Sequence, residues 1–289
     1  MPTAKRLDRA SFPMRLWQKA KVYGVWNPEE LDFSQDRRDW LVLDRPRQER
    51  ILQLCALFHA GEEAVTLDLL PLLRVIAAEG RIEEEIYLTS FLWEEAKHVD
   101  VFDRFFAEVT GDQGDLSGYL HPSYRRILTE ELPEALHRLD HDPSPEAQVR
   151  AAATYNIVVE GMMAETGYFL FERILGHDRI MPGMRQAIAL LRRDESRHVA
   201  FGVHLISRLI VEHGNRAYRA FLDRLGELKP LVVDWTRHYA TLLQGEQPSG
   251  ITYEELMRYS SAQSAGRLQR IVKARTQTLE EIRAARPAG

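Results

Sequence analysis

Two glutamate–histidine pairs with the same spacing stand out in the 289-residue sequence. Glu95 and His98 lie in EEAKHVDVF, and Glu195 and His198 lie in LLRRDESRHVAFG. On a helix, residues three apart share a face, so each pair presents a carboxylate oxygen and an imidazole nitrogen one turn apart. Both groups bind transition metals and both can reach one ion. The spacing therefore predicts that each pair supplies two ligands to a metal.

Apolar residues at helical spacing continue through both pairs, which predicts that the ligands point into the core. A third pair, Glu134 and His137, follows Pro133 at a predicted helix start, where a carboxylate stabilises the helix dipole. We interpret that pair as structural. The apolar stripes are Leu88, Phe91, Leu92, Val99 and Phe102 around the first pair, and Ile188, Leu191, Gly202 and Leu205 around the second.

Two single glutamates lie on similar stripes, Glu62 in LFHAGEEAVTLDLLP and Glu160 in TYNIVVEGMMAETGYF. A buried carboxylate is costly unless a cation meets it. One Glu from each of two helices, with a Glu-x-x-His from each of two others, is the ligand set of dinuclear carboxylate sites in ferritin-like bundles. In the alternative interpretation the glutamates face solvent, for which Glu63 and Glu94 are better candidates.

Helical periodicity dominates the chain, and no strand pattern is present. We expect Pro71 to bend the first long helix, and Ser144 to cap the third with Pro145 at its first position. Residues 1–45 are expected to be ordered but irregular. The fold class is all-α: a single domain over 1–289 with a ferritin-like four-helix bundle core at about 46–245 and accessory helices. Helices are predicted over 46–79, 82–110, 122–140, 144–176, 183–213, 215–244 and 252–284.

Composition excludes several other classes of protein. The chain is 45% hydrophobic, carries a net charge of −5, and has one cysteine, Cys55. These features argue against a nucleic-acid partner and against an internal disulfide framework. The basic N-terminus lacks the apolar segment of a signal peptide, and no apolar run is long enough to predict a transmembrane segment. We therefore expect a cytoplasmic protein.

The segments AGEEAVTLDLLP, EEAKHVDVF, TYNIVVEGMMAETGYF and DESRH resemble the ribonucleotide reductase small-subunit superfamily. The resemblance is closer to its ligand-binding oxidases with a manganese–iron site, and it runs from about residue 25 to 245. It implies a cofactor of Mn and Fe, one each, or of two Fe, with dioxygen (O2) as a substrate and a homodimer as the assembly. It also implies the metal ligands Glu62, Glu95, His98, Glu160, Glu195 and His198.

Three further positions separate the branches of this superfamily. Phe102 stands where reductase subunits usually have a radical-storing tyrosine, although some of them also carry Phe. Val65 and Tyr155 match the valine and tyrosine that become joined by an ether in the ligand-binding oxidases, which implies that they are the reacting residues. Without the resemblance, Val65 is interpreted as an ordinary core residue. In an ideal α-helix Tyr155 shares no face with Glu160, so a long reach or a local π-bulge is required.

The resemblance also implies a long-chain fatty acid, or a similar apolar ligand, held in a tunnel with its carboxylate on the metals. Gly61, Gly161 and Gly167 either leave room for it or allow close helix packing. Asp194 resembles the aspartate that orients a ligand histidine in this superfamily. In the alternative interpretation, Asp194 is a surface acid paired with Arg193 or Arg197. Tyr168 is expected near the pocket.

The leading interpretation is an O2-activating oxidase that performs a two-electron C–H oxidation and forms the Val65–Tyr155 ether. The first alternative is the radical-generating small subunit of ribonucleotide reductase. Such a subunit needs a tyrosine in a mobile C-terminal tail, whereas the last tyrosine here is Tyr259. The second alternative is non-enzymatic metal storage.

Overall fold

The computed structural model describes residues 6–111, 113–243 and 252–285, and no strand occurs within these ranges. In chain order the α-helices are α1 (Phe12–Tyr23), α2 (Ser34–Val42), α3 (Arg45–Asp68), α4 (Leu70–Ala78), α5 (Ile82–Phe105), α6 (Pro122–Arg126), α7 (Leu132–His137), α8 (Pro145–Ala152), α9 (Glu165–Asp178), α10 (Pro182–His213), α11 (Asn215–Leu243), α12 (Tyr253–Lys273) and α13 (Leu279–Ala284). Three stretches are π-helical: Phe106–Thr110, Ile127–Glu131 and Ala153–Ala164. Short 3₁₀ turns lie at Pro28–Glu30, Ser117–Tyr119, Arg138–Asp140 and Ala274–Thr276.

Four helical rods form the bundle core, which confirms the predicted all-α fold. The first is α3, the second is α5, the fourth is α10, and the third joins α8 to α9 through the π-helix Ala153–Ala164, called the π segment below. The apolar faces of these rods meet in two clusters of buried side chains. No described helix combines the length and the apolar character that crossing a membrane requires.

The expected breaks in the long helices occur near the residues that predict them. The first long helix stops at Asp68 and restarts at Leu70, with Pro71 in the first turn of α4. Gly80 follows α4 with a φ of 69°, a conformation that glycine adopts without strain. Ser144 caps α8 as expected, because its side chain accepts a hydrogen bond from the amide of Ala147.

Two stretches differ from the expectation. The described part of the stretch 1–45, residues 6–45, is not irregular: α1 and α2 form there, and α1 packs against α5 and α10 through a short stripe that includes Phe12 and Leu16. The helix expected over 252–284 is two helices. The chain becomes extended at Gln277, and Thr278 then forms a capping box with Glu281 that starts α13.

The π segment approaches α10 closely at Gly202. An added Cβ there would lie 2.7 Å from Asn156 Oδ1 and nearer still to other atoms of the same side chain. Asn156 donates a hydrogen bond of 2.9 Å from Nδ2 to Glu160 Oε2. The missing side chain of Gly202 therefore leaves the space in which Asn156 supports Glu160.

Gly202→Ala should destabilise the metal-free protein by about 1–3 kcal/mol, because overpacking forces Asn156 or the backbone to move. Urea unfolding measures this loss. Gly266→Ala is the matched control, since nothing lies within 4 Å of a Cβ at this helical position. It should stabilise by about 0.5–1 kcal/mol. Equal midpoints for Gly202→Ala and the wild type would contradict the packing argument.

Candidate metal centre

All six predicted ligands converge in the middle of the bundle. Their ligand atoms form two groups, each with its members within 4.8 Å of one another, and all six residues are buried. Glu95 and Glu195 belong to both groups. The first group is Glu62, Glu95, His98 and Glu195; the second is Glu95, Glu160, Glu195 and His198.

Both histidines turn Nδ1 toward the carboxylates. His98 Nδ1 lies 3.3 Å from Glu62 Oε2 and 3.4 Å from Glu195 Oε1. His198 Nδ1 lies 3.0 Å from Glu95 Oε1 and 3.6 Å from Glu160 Oε1. Each position thus combines imidazole nitrogen with carboxylate oxygen, as the Glu-x-x-His spacing predicts.

The other ring nitrogen of His198, Nε2, contacts the carboxylate of Glu94, a residue that was expected to face solvent. Glu94 Oε2 lies 2.9 Å from His198 Nε2, and Glu94 is fully buried, so that expectation was wrong. A Cβ on Gly24, at the C-terminus of α1, would overlap the Glu94 carboxylate. The unexpected helix α1 therefore covers the face of α5 that was taken as exposed. Glu63, by contrast, is exposed as expected.

Asp194 supports His98 in the same way. It is fully buried, which rules out the surface-acid alternative, and its Oδ2 lies 3.5 Å from His98 Nε2. Trp26 Nε1 donates a 2.8 Å hydrogen bond to Oδ2, and Lys97 Nζ donates one of 3.1 Å. Although burial opposes it, the nearby His98 and the neighbouring cations hold the pKa of Asp194 below its usual range.

One guanidinium joins the two supporting carboxylates. Arg197 Nη2 donates to Glu94 Oε1 at 2.7 Å and to Asp194 Oδ1 at 2.5 Å. Charge-assisted hydrogen bonds of this kind are among the strong ones in proteins. Both histidines are therefore oriented from behind by one connected network, a feature that commonly supports metal ligands.

Burial and mutual repulsion shift the titration of the cluster. Burial raises the pKa of Glu62 to about 8, and burial with the nearby Glu195 raises that of Glu160 well above its ordinary value. Burial also opposes charge on His98 and His198, but the carboxylates outweigh it and raise the pKa of each histidine. Without metal, protons supply the positive charge that this cluster needs.

The unpaired atoms fit a pair of metal ions. Buried polar atoms are normally hydrogen-bonded, yet Glu95 Oε2, Glu160 Oε1, Glu195 Oε2 and His198 Nδ1 have no such partner among the described residues. An oxygen-rich donor set with one imidazole per position suits manganese and iron. The cluster can therefore hold a dinuclear metal site.

An apolar cavity borders the centre. Three predicted ligands, Glu62, Glu160 and Glu195, line it together with Val65. Its free volume is ≈ 40 Å³. Other lining residues include Leu54, Leu57, Gly61, Val159, Met163, Leu170 and Trp235.

The π segment brings Tyr155 to the centre. Tyr155 is fully buried, and its hydroxyl donates to Glu95 Oε1 at 3.3 Å. In a π-helix each amide bonds to the carbonyl five residues earlier, so side chains point in directions different from those in an α-helix. The local π distortion that Tyr155 requires is therefore present, as twelve π-helical residues.

Gly167 lines the cavity, and Tyr168 packs against Phe58, another lining residue. Tyr168 is buried with its ring 4.9 Å from that of Phe58, and its hydroxyl has no hydrogen-bond partner in the described part of the chain. A Cβ on Gly167 would lie 2.6 Å from Phe58 Cζ. Gly167 therefore allows close packing, and both Gly167 and Gly61 line the cavity.

The sequence profile described as "Ribonucleotide reductase, small chain" matches residues 14–271. The chain belongs to the ribonucleotide reductase small-chain family.

Among solved structures, the chain is similar to an R2-like ligand-binding oxidase with an aerobically reconstituted Mn/Fe cofactor. The two sequences are 40% identical, and the match covers 91% of this chain and 94% of the oxidase chain, with a TM-score of 0.87. A valine-to-alanine variant of such an oxidase with an anaerobically reconstituted Mn/Fe cofactor has the same identity and coverage and a TM-score of 0.85. A tyrosine-to-phenylalanine variant with an aerobically reconstituted Mn/Fe cofactor has 40% identity, the same coverage and a TM-score of 0.87.

Binding of metal at pH 7 should release about two to four protons per chain, because the protonated ligands must lose their protons. Calorimetric titration with Mn²⁺ in buffers of different ionisation enthalpy measures the number. The raised pKa values of Glu62, Glu160 and both histidines mean that affinity should fall as the pH decreases from 8 to 6. A binding enthalpy that is independent of buffer would contradict this expectation.

Glu94→Gln should weaken metal binding at the position of His198 by about 10–100-fold, since the carboxylate that orients this histidine is lost. Competition with a chromogenic chelator measures the affinity. Glu63→Gln is the matched control: it removes the same charge from an exposed neighbour of Glu62 and should leave the affinity unchanged. Equal affinities for the two variants would refute the supporting role of Glu94.

Proposed function

We propose that this protein is an O2-activating ligand-binding oxidase with a manganese–iron centre, or a di-iron centre, held by Glu62, Glu95, His98, Glu160, Glu195 and His198. The observation that carries the proposal is the position of Tyr155. Its phenol meets Glu95 within a cluster that can hold two metals, and Val65 lines the cavity that Glu62, Glu160 and Glu195 also line. The likeness to oxidases with Mn/Fe cofactors supports the same conclusion.

The metal pair, when bound, would bind dioxygen and supply two of the four electrons that reduce it to water. The remaining two electrons and two protons come from the protein. Val65 loses the hydrogen of its β-carbon, Tyr155 loses its phenolic proton, and a carbon–oxygen bond forms between the two residues. With two further protons from solvent, the products are the ether and two water molecules, so atoms and electrons balance.

The surrounding residues position this reaction. Glu95 accepts the Tyr155 hydrogen bond, so it orients the phenol and lies where its proton can be received. Val65 is 3% exposed and Tyr155 is fully buried, which keeps bulk water from the reacting atoms. Burial raises the pKa of Tyr155 well above its usual value, so the hydroxyl keeps its proton until the reaction removes it.

The ligand that we propose is a long-chain fatty acid or a similar apolar acid. Its carboxylate would reach the metals where Glu62, Glu160 and Glu195 line the cavity, and its chain would follow the apolar wall. The free volume of ≈ 40 Å³ is too small for such a chain without rearrangement. Met163, which is flexible, is a side chain that can make room.

The reductase alternative is less well supported by the site. Phe102 is fully buried and stacks on Phe58 with ring centres 5.6 Å apart, so the position offers no phenol to store a radical. The storage alternative assigns no task to Tyr155 beside Glu95. Formation of the ether distinguishes the oxidase from both alternatives.

Wild-type protein that is freed of metal, loaded with Mn²⁺ and Fe²⁺ and exposed to air should yield a linked peptide pair. The pair contains Val65 and Tyr155 and is lighter by two hydrogens than the sum of its parts. Val65→Ala should bind two metals and give less than about one hundredth of the linked product, because the tertiary C–H bond is absent. Peptide mass spectrometry with metal analysis measures both.

Val159→Ala is the matched control, since it shortens another valine of the cavity wall and should preserve the link. Tyr155→Phe should abolish it. An ether at residue 65 in Val65→Ala, or no link in a wild-type protein that holds two metals, would require the proposal to be withdrawn.

A further inference from the structure

The backbone changes its hydrogen-bond spacing immediately after Glu160. The amide of Glu165 bonds to the carbonyl of Glu160, five residues back, and the α-helical spacing of four residues resumes in α9. A change from five-residue to four-residue spacing leaves one carbonyl without an amide partner. The Gly161 carbonyl lies at this change.

A side chain from outside the four-helix core meets that carbonyl. Arg267, on the accessory helix α12, donates from Nη1 to the Gly161 carbonyl and from Nη2 to Glu165 Oε1 at 3.1 Å. Glu165 is the first residue of α9. One guanidinium therefore spans both sides of the change from π-helix to α-helix.

The contact is enclosed and reinforced. The side chains of Arg267 and Glu165 are 17% and 8% exposed. The other oxygen of Glu165 accepts from the Tyr259 hydroxyl at 3.4 Å, and Tyr259 also lies on α12. Gly161 leaves room for the guanidinium, since a Cβ there would lie 3.2 Å from Arg267 Nη1. Ion pairs of low exposure hold their geometry better than surface pairs.

We propose that Arg267 and Glu165 are positioning residues that hold the π segment in the shape in which Glu160 reaches the metals. The guanidinium fixes the carbonyl of Gly161, the residue after Glu160, and the amide of Glu165 binds the Glu160 carbonyl. The accessory helix α12 thereby acts on Glu160 through the backbone beside it. This inference rests on the proposed function for the metal-binding role of Glu160.

The effect should be confined to one metal position. Glu160 belongs to the group with His198 and is absent from the group with His98. Loss of Arg267 should therefore weaken binding at the His198 position and spare the other. A general loss of stability would weaken both positions alike, so the difference between them separates positioning from a merely structural role.

The first measurement is hydrogen exchange of the metal-free protein, read by mass spectrometry. In Arg267→Met, peptides that cover residues 153–166 should exchange about tenfold faster, whereas those from α5 should not change. Arg267→Lys keeps one donor for the Gly161 carbonyl and should restore part of the protection. Arg258→Met is the matched control, because Arg258 is exposed on the same helix. Unchanged exchange over 153–166 in Arg267→Met would overturn the proposal.

The second measurement separates the two metal positions. In a His98→Ala background, Arg267→Met should weaken Mn²⁺ binding about tenfold, as is usual when a group that orients a ligand is lost. In a His198→Ala background it should have no effect. Equal weakening in both backgrounds would overturn the positioning role. If the wild type itself bound no pair of metals, the proposed function would fail, and the exchange result would still decide whether Arg267 holds the π segment.

Discussion

The organisation of this protein depends on negative charge gathered in the middle of an apolar bundle. Four glutamate ligands with Glu94 and Asp194 make six buried carboxylates, and Arg197 and Lys97 are the cations that contact this set. Four negative charges remain if the histidines are neutral, which equals the charge of two divalent cations. Uncompensated charge of this size would separate the helices, so protons or metal ions must accompany folding.

Much of the centre could be predicted because its ligands interrupt apolar stripes. Glu62, Glu160 and the two Glu-x-x-His pairs occupy positions where helical periodicity expects core residues, and charge there requires a partner of opposite sign. The same periodicity located the long helices, since packing a continuous apolar face determines most of their length. Tyr155 shows the limit of ideal geometry: it reaches Glu95 from a π-helical stretch that the periodicity does not predict, and its role was indicated only by the resemblance.

The features that were missed depend on what covers a helix. Glu94 lies next to Glu95 in the chain, and the periodicity of α5 alone assigns it to a solvent face. It is buried because α1 crosses that face and ends at Gly24, a contact between distant parts of the sequence. The break before α13 was missed for a related reason, since the charged C-terminal sequence suits a helix throughout and only the cap at Thr278 marks the new start.

The sharing of ligands has a consequence for the order in which the centre fills. Glu95 and Glu195 belong to both groups of candidate ligand atoms, and Arg197 joins the carboxylates behind both histidines. An ion at either position therefore orders groups that the other position needs, while its charge repels a second ion. The two sites are thermodynamically linked, and the balance of these opposing effects sets the sign and size of their cooperativity. Discrimination between two different metals is consequently a property of the filled pair, rather than of either position alone.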